Sequence, residues 1–286
     1  MTRLGAFASL VRAPAALTVP GDTLAGAAAA GLRLRGRRLV LPLASACLYW
    51  AGMALNDYAD RSLDAVERPE RPLPSGRVRP GEAFGLAVGL TGAGVALAAV
   101  GGGRRAVRVA VPLAGAVWGY DLLLKSGPLG PLAMGACRGL DVLLGASGAR
   151  AALPAAAALA GHTVGVTALA RGEVHGSSAA VARLVCAGTA LVAASAALGG
   201  APAARRHRLL AMVAAAGYAA QVGRAQWSAA RDPSAATVRS ATVAGIHGMV
   251  PLQAALAARA GSVLGAGSVL AAVPAARALA KAVSPT

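Results

Sequence analysis

The sequence predicts an all-α fold, a polytopic transmembrane helical bundle of about nine helices, or ten, and three observations carry that prediction. The 286 residues are 56% hydrophobic and only 14% charged, and mean hydropathy is +0.60. A soluble domain of this length carries about a quarter charged residues, so the side chains that would cover a soluble surface are missing. The charge is also placed unevenly. Ten apolar stretches, roughly 13–32, 39–55, 83–101, 106–124, 127–147, 151–170, 179–198, 209–223, 241–258 and 262–283, alternate with short basic or Gly/Pro-rich links. Most approach the ~20 residues a helix needs to cross a bilayer. Residues 1–286 read as one transmembrane domain.

At the N-terminus, residues 1–12 are a short basic lead. Pro14 and Pro20 interrupt the apolar run after it, so no cleavable signal is expected and the first stretch should stay as a helix. After the second stretch comes the one long polar connection, 58–82. Pro72, Pro74, Gly76 and Pro80 prevent a continuous helix through its second half. Gly101, Gly102 and Gly103 read as loop residues between the third and fourth stretches; no strand precedes them, so they make no nucleotide fingerprint. The stretch 209–223 is short and ends near Gln221 and Arg224, which predicts a tilted or irregular helix. Glycines elsewhere in the stretches suit close helix packing in lipid. Cys47, Cys137 and Cys186 are scattered among apolar residues and read as small buried hydrophobes, not as a disulfide framework or a metal set. His162 and His247 read as core or cavity-lining residues.

The net charge of +17 does not indicate nucleic acid, because the arginines are spread over many loops and form no aromatic-interleaved face. Short arginine-rich loops suit anionic lipid head groups instead. With the N-terminus placed on one side and strict alternation, thirteen basic residues fall on that side and twelve on the other, so positive charge does not decide the orientation. The chain has 26 Arg against two Lys and a single Asn, which makes Lys125 and Asn56 informative.

That asparagine opens the strongest signal, Asn56-Asp57-Tyr58-Ala59-Asp60-Arg61-Ser62-Leu63-Asp64, followed by Arg68 and Arg71-Pro72-Leu73-Pro74-Ser75-Gly76. Asp57, Asp60 and Asp64 are spaced i, i+3, i+7, which on a helix puts three carboxylates on one face. Such a face is self-repulsive, and it lies where a membrane helix ends and unpaired charge is costly. A divalent cation relieves both. Mg²⁺ takes oxygen ligands and is usually held by one or two carboxylates together with substrate phosphates. Arg68 and Arg71 are suited to phosphate oxygens. Acids, metal and basic rim describe a diphosphate-binding mouth that opens from the bilayer.

Residues 56–76 resemble the first aspartate-rich motif of the UbiA prenyltransferase superfamily, Asn-Asp-x-x-Asp-x-x-x-Asp with an Arg-Pro-Leu-x-Ser-Gly end, and the helical layout extends the resemblance over nearly the whole chain. The resemblance implies that Asn56, Asp57, Asp60 and Asp64 bind Mg²⁺ and the diphosphate of an isoprenoid donor. It further implies that Tyr120 and Lys125 match the family's Tyr–Lys segment, with Lys125 bringing a cation to the diphosphate.

Arg138 and Asp141 lie i, i+3 within the fifth stretch, and either Arg138 joins the diphosphate site or the two form a structural pair that locks helices. The sequence departs from the family at the second acidic motif, where Arg171-Gly172-Glu173-Val174-His175-Gly176 offers one carboxylate, Glu173. Glu173 is the candidate ligand of a second metal. His175 reads as a general base, a hydrogen-bond donor to diphosphate, or an interfacial histidine.

The expected activity is Mg²⁺-dependent transfer of an isoprenyl group from a prenyl diphosphate donor to a small-molecule, aromatic or lipid-like acceptor, in the cell membrane and in contact with membrane lipid. The alternatives are a terpene cyclase of the same type, or a non-catalytic isoprenoid- or metabolite-binding protein of a biosynthesis or export cluster.

Overall fold

The computed structural model describes residues 3–12, 19–199 and 204–271. Among them there is no strand. The helices are α1 (Arg3–Leu10), α2 (Pro20–Ala29), α3 (Leu41–Ala59), α4 (Arg61–Glu67), α5 (Pro80–Gly119), α6 (Gly130–Gly145), α7 (Leu153–Ala170), α8 (Ala179–Leu198), α9 (Arg205–Arg231) and α10 (Ala235–Arg259), with α11 over 263–271. Each of the ten apolar stretches contains a helix. Residues 13–18 of the first stretch and 272–283 of the last lie outside the described residues. Proline stands at the first or second position of α2, α3, α5, α6 and α7, where its missing N–H costs nothing and its fixed φ favours the helix.

Among the described residues, five segments are long and apolar enough to cross a membrane: Gly36–Ala59, Pro80–Leu124, Arg150–Ala170, Ala179–Leu198 and Ala235–Arg259. Straight, 45 residues at ~1.5 Å each would reach about twice the ~30 Å hydrocarbon thickness. The chain bends instead at Gly103, whose φ of 64° and ψ of −156° leave the helical region. The glycine run is therefore helical up to that bend rather than a loop, because two of the three glycines keep helical geometry. α9 is longer than its apolar stretch: it continues for 27 residues, since Arg and Gln end an apolar run without ending a helix.

Each long helix packs on its neighbour in sequence, and α10 returns to α2 and α7 to close the bundle. The outer surface is apolar. On α8, Leu184, Leu191 and Leu198 form a stripe with a seven-residue period and are each at least 70% exposed, while Ala182, Val185, Thr189 and Ala196 face inward. Lipid is the solvent such a stripe fits. Inside, contact is made by small residues, as expected where lipid removes the hydrophobic drive between helices. A Cβ at Gly26 would stand 1.8 Å from the Val142 carbonyl oxygen, and one at Gly145 would stand 2.1 Å from that of Thr23, so α2 and α6 touch backbone to backbone.

His162 is buried as expected and pins α7 to α9 and α10, with Nδ1 2.8 Å from Tyr218 Oη and Nε2 3.0 Å from the Gly245 carbonyl. His247 is exposed on α10 rather than in the core. The apolar run around it covers a whole helix surface in lipid and does not reveal which side faces inward. The three cysteines are unpaired.

Candidate active site

The carboxylate cluster forms where α3 meets α4. Asp60 is the residue between them (φ −88°, ψ 4°), so the expected single helix carries a joint. The backbone bonds Asp60 N–H to Asn56 O and Asp64 N–H to Asp60 O run through it. The helical register therefore survives, and Asp57 and Asp64 both turn inward, 4% and 2% exposed.

The following loop folds back over them. Leu73 and Val78 are buried against Leu10, Ala54, Leu55 and Ala83. The turn needs the left-handed φ of Gly76 and is closed by the Val78 N–H to the Pro72 carbonyl. This seats the Arg71 guanidinium between the two buried carboxylates, its Nη1 2.6 Å from Asp64 and 3.5 Å from Asp57. Arg68 Nη1 stands 3.8 Å from Asp64. From the other side α1 packs on α3, and Arg12, just past its end, places Nη2 3.3 Å from Asp57.

The third wall comes from the end of α5. A π-helical turn over Tyr120–Leu124, in which the Lys125 N–H donates to the Tyr120 carbonyl, follows the helix. It carries Lys125 Nζ to 2.5 Å from Asp60 Oδ1. The pair is an ionic contact rather than a directed hydrogen bond, since Nζ has no partner at hydrogen-bonding angles. Asp121 on the same turn is 4% exposed and accepts from Asn56 Nδ2 at 3.1 Å. Tyr120 packs its ring on the apolar cluster of α3, α5 and α6.

Arg138 lies deeper in the bundle, and Glu173 in a separate connection at the end that bears the cluster. Arg138 is in mid-α6 and does not pair with Asp141: its Nη1 is 2.6 Å from Asp22 of α2, and Gln253 of α10 donates to the other Asp22 oxygen at 2.7 Å. Asp141 instead accepts from Ser45 of α3 at 2.7 Å. Spacing within one helix cannot see a partner that another helix brings closer. Glu173 is half-buried and His175 exposed in the α7–α8 connection. Arg171 reaches the Gly127 carbonyl, which ties that connection to the one bearing Lys125. Glu173 therefore shares the end of the bundle with Asp57, Asp60 and Asp64. Among the described residues no three His, Cys, Asp or Glu side chains converge as a metal set.

Arg12 and Asp121 were not assigned a role from the sequence. Arg12 is the last basic residue of the lead; Asp121 stands four residues before Lys125, the one signal for it. Asp22 was not singled out from the sequence either; its signal is that it is a lone acid in an apolar stretch.

The carboxylate donors are all oxygen, as Mg²⁺ prefers. Arg71, held by both Asp57 and Asp64 through one nitrogen, stands where a cation is wanted. The residues present fit the ion.

A helical bundle with an apolar outer surface, and with Asp57, Asp60 and Asp64 held by basic side chains at one end, defines an integral membrane protein. The chain belongs to the UbiA prenyltransferase family, which it matches over residues 19–241. It is 38% identical over 111 residues to the digeranylgeranylglyceryl phosphate synthase of Methanopyrus kandleri, 39% of each chain. It is 40% identical over 112 residues to that of Ignicoccus hospitalis, 34% of this chain and 37% of the relative. The matched region thus spans well under half the length of these relatives. Among solved structures, a UbiA homolog from Archaeoglobus fulgidus bound to GPP and Mg²⁺ superposes with a TM-score of 0.66 at 12% identity, covering 88% of this chain and 99% of that one. The apo UbiA homolog from Aeropyrum pernix K1 gives 0.67 at 20% identity, covering 84% and 96%. These likenesses establish the fold.

Proposed function

We propose that this protein is a prenyltransferase of the cell membrane that moves an isoprenyl group from a prenyl diphosphate to an acceptor inside the bundle, with residues 1–286 acting as one unit. The observation that carries the reading is the mouth itself. Asp57, Asp60 and Asp64 stand against Arg12, Arg68, Arg71 and Lys125, a set of opposite charges that a metal-bound diphosphate divides between its two parts. Asp57 and Asp64, with Asp60 and Glu173 as further donors, would hold Mg²⁺, which lowers the charge on the leaving diphosphate when bound. Arg71, released from its carboxylates, presents a planar fork to phosphate oxygens. Arg68, Arg12 and Lys125 border the same place, and Asn56 with Tyr120 keeps the α3 and α5 walls in register.

The donor chain would lie among the apolar helices. There water is excluded, so the allylic cation meets its acceptor before it is captured by water. Arg138, committed to Asp22 deeper in the bundle, is assigned to bracing helices and not to diphosphate. The names of the relatives favour a lipid-like acceptor, a prenylglyceryl phosphate, over an aromatic one.

Diphosphate release from prenyl diphosphates of several lengths, with Mg²⁺ and with chelator, tests this. Release should depend on Mg²⁺ and fall with Asp57→Asn and with Glu173→Gln. Tight Mg²⁺-dependent binding without release under every acceptor tried would establish the non-catalytic alternative instead.

A further inference from the structure

A cavity of about 740 Å³ opens at the opposite end of the bundle from the carboxylate mouth, lined by Arg37, Arg38, Arg104, Arg105, Arg108 and Ser147. Three segments build it. Arg37 and Arg38 come from the tight turn Gly36–Val40 before α3. Arg104, Arg105 and Arg108 follow the bend at Gly103. Ser147 sits in the loop after α6, where it and Gly148 both hold positive φ. The frame is close-packed: a Cβ on buried Gly101 would come within 2.9 Å of Leu41.

None of the five guanidinium groups has a hydrogen-bond or ion-pair partner among the described residues. The Ser147 hydroxyl is shut from solvent and also has none. Residues 31–40, 102–108, 147–152, 204–208 and 259–262 at this end carry twelve arginines and no acid. Five like charges around one concavity repel, and an unpaired buried hydroxyl costs free energy. An oxyanion with several acceptor oxygens relieves the repulsion, and guanidinium forks match its geometry.

We propose that this cavity is a binding site for the phosphate of an anionic membrane lipid. It lies level with the start of α3 and the end of α6, at the boundary where head groups sit and basic side chains are drawn to anionic lipid. It does not depend on the transfer reaction. Asp57 is sixteen residues along α3 from Leu41, roughly 24 Å by helical rise. That is too far for the phosphate of an acceptor whose hydroxyl must meet the reacting carbon at the mouth.

The test is thermal unfolding of purified protein in neutral detergent with phosphatidylglycerol, phosphatidylcholine or inorganic phosphate. Phosphatidylglycerol should raise Tm and phosphatidylcholine should not. R104Q/R105Q/R108Q should need at least about tenfold more phosphatidylglycerol for the same shift, about 1.4 kcal/mol or more. R205Q/R206Q/R208Q, with the same charge change outside the cavity, should behave as wild type. Equal loss in both variants overturns the site in favour of diffuse charge, as does an equal shift with phosphatidylcholine. An equal shift with inorganic phosphate overturns the lipid as the source. If the triple variant does not purify, lipid phosphorus co-purifying with Arg104→Gln against Arg205→Gln decides the same question.

Discussion

The two ends of this bundle use the same residue in opposite ways. At the mouth, arginines and Lys125 meet carboxylates, and Arg71 is held by two of them at once. At the far end, twelve arginines meet no acid in their own segments. Paired charges hold one another in a fixed geometry, which is what the proposed recognition of one diphosphate in one pose needs. The five guanidinium groups of the arginine-lined cavity, which meet no carboxylate, keep their rotamer freedom and their field, which suits a fluid, anionic surface. The near-even division of positive charge between the ends, which left orientation undecided, hides this difference because it ignores the acids.

The comparison can be broken at several places. The arginine whose loss should cost most belongs to neither end. Arg138→Met would leave Asp22, fully buried, with its charge unpaired. That should destabilise the fold by about 3–5 kcal/mol, read as a fall in Tm, with Asp22→Asn in the same chain restoring most of it. Next is the mouth: Asp57→Asn or Asp64→Asn should lower diphosphate release per folded molecule by about 10²–10³-fold, as loss of one well-placed electrostatic group does. Gly145→Val puts a side chain where the Thr23 carbonyl already stands; overpacking of this kind costs about 1–3 kcal/mol, and it should appear as reduced Tm with the residual activity of the folded fraction intact. Arg12→Gln should cost about tenfold in KM for the donor with little change in kcat, as for a group binding ground and transition states alike. An effect on kcat alone would place Arg12 against the leaving group.

Much of this was legible in the sequence, for physical reasons. Each apolar stretch contains a helix because a bilayer demands ~20 apolar residues whatever their order. The spacing of Asp57, Asp60 and Asp64 survives as a shared face because backbone bonds continue through the joint at Asp60. The joint itself was not legible, and neither was the fold-back that seats Arg71, which depends on Leu73 and Val78 finding a core made by α1, α3 and α5. Arg138 shows the same limit: its partner lies 116 residues away on α2. The bend at Gly103 was readable as a break but not as a single residue, because Gly101 and Gly102 share its composition and not its dihedrals.

The smallest expected effect is the sharpest check on treating the ends as separate. Arg205 and Arg208 open α9 at the far end, about the ~30 Å hydrocarbon thickness from the carboxylates. At physiological ionic strength charges separated by more than ~8 Å through solvent are largely screened. The path through the bundle is apolar and screens less, so the effect should be small and should grow as salt is removed. Arg205→Gln with Arg208→Gln should therefore change Mg²⁺-dependent diphosphate release by less than about twofold at about 0.15 M salt. The same pair measured at tenfold lower ionic strength separates two cases. A change that stays within twofold means the mouth is governed by its own paired charges. A change that grows several-fold means the far arginines help draw the polyanion in, and the two ends act as one field.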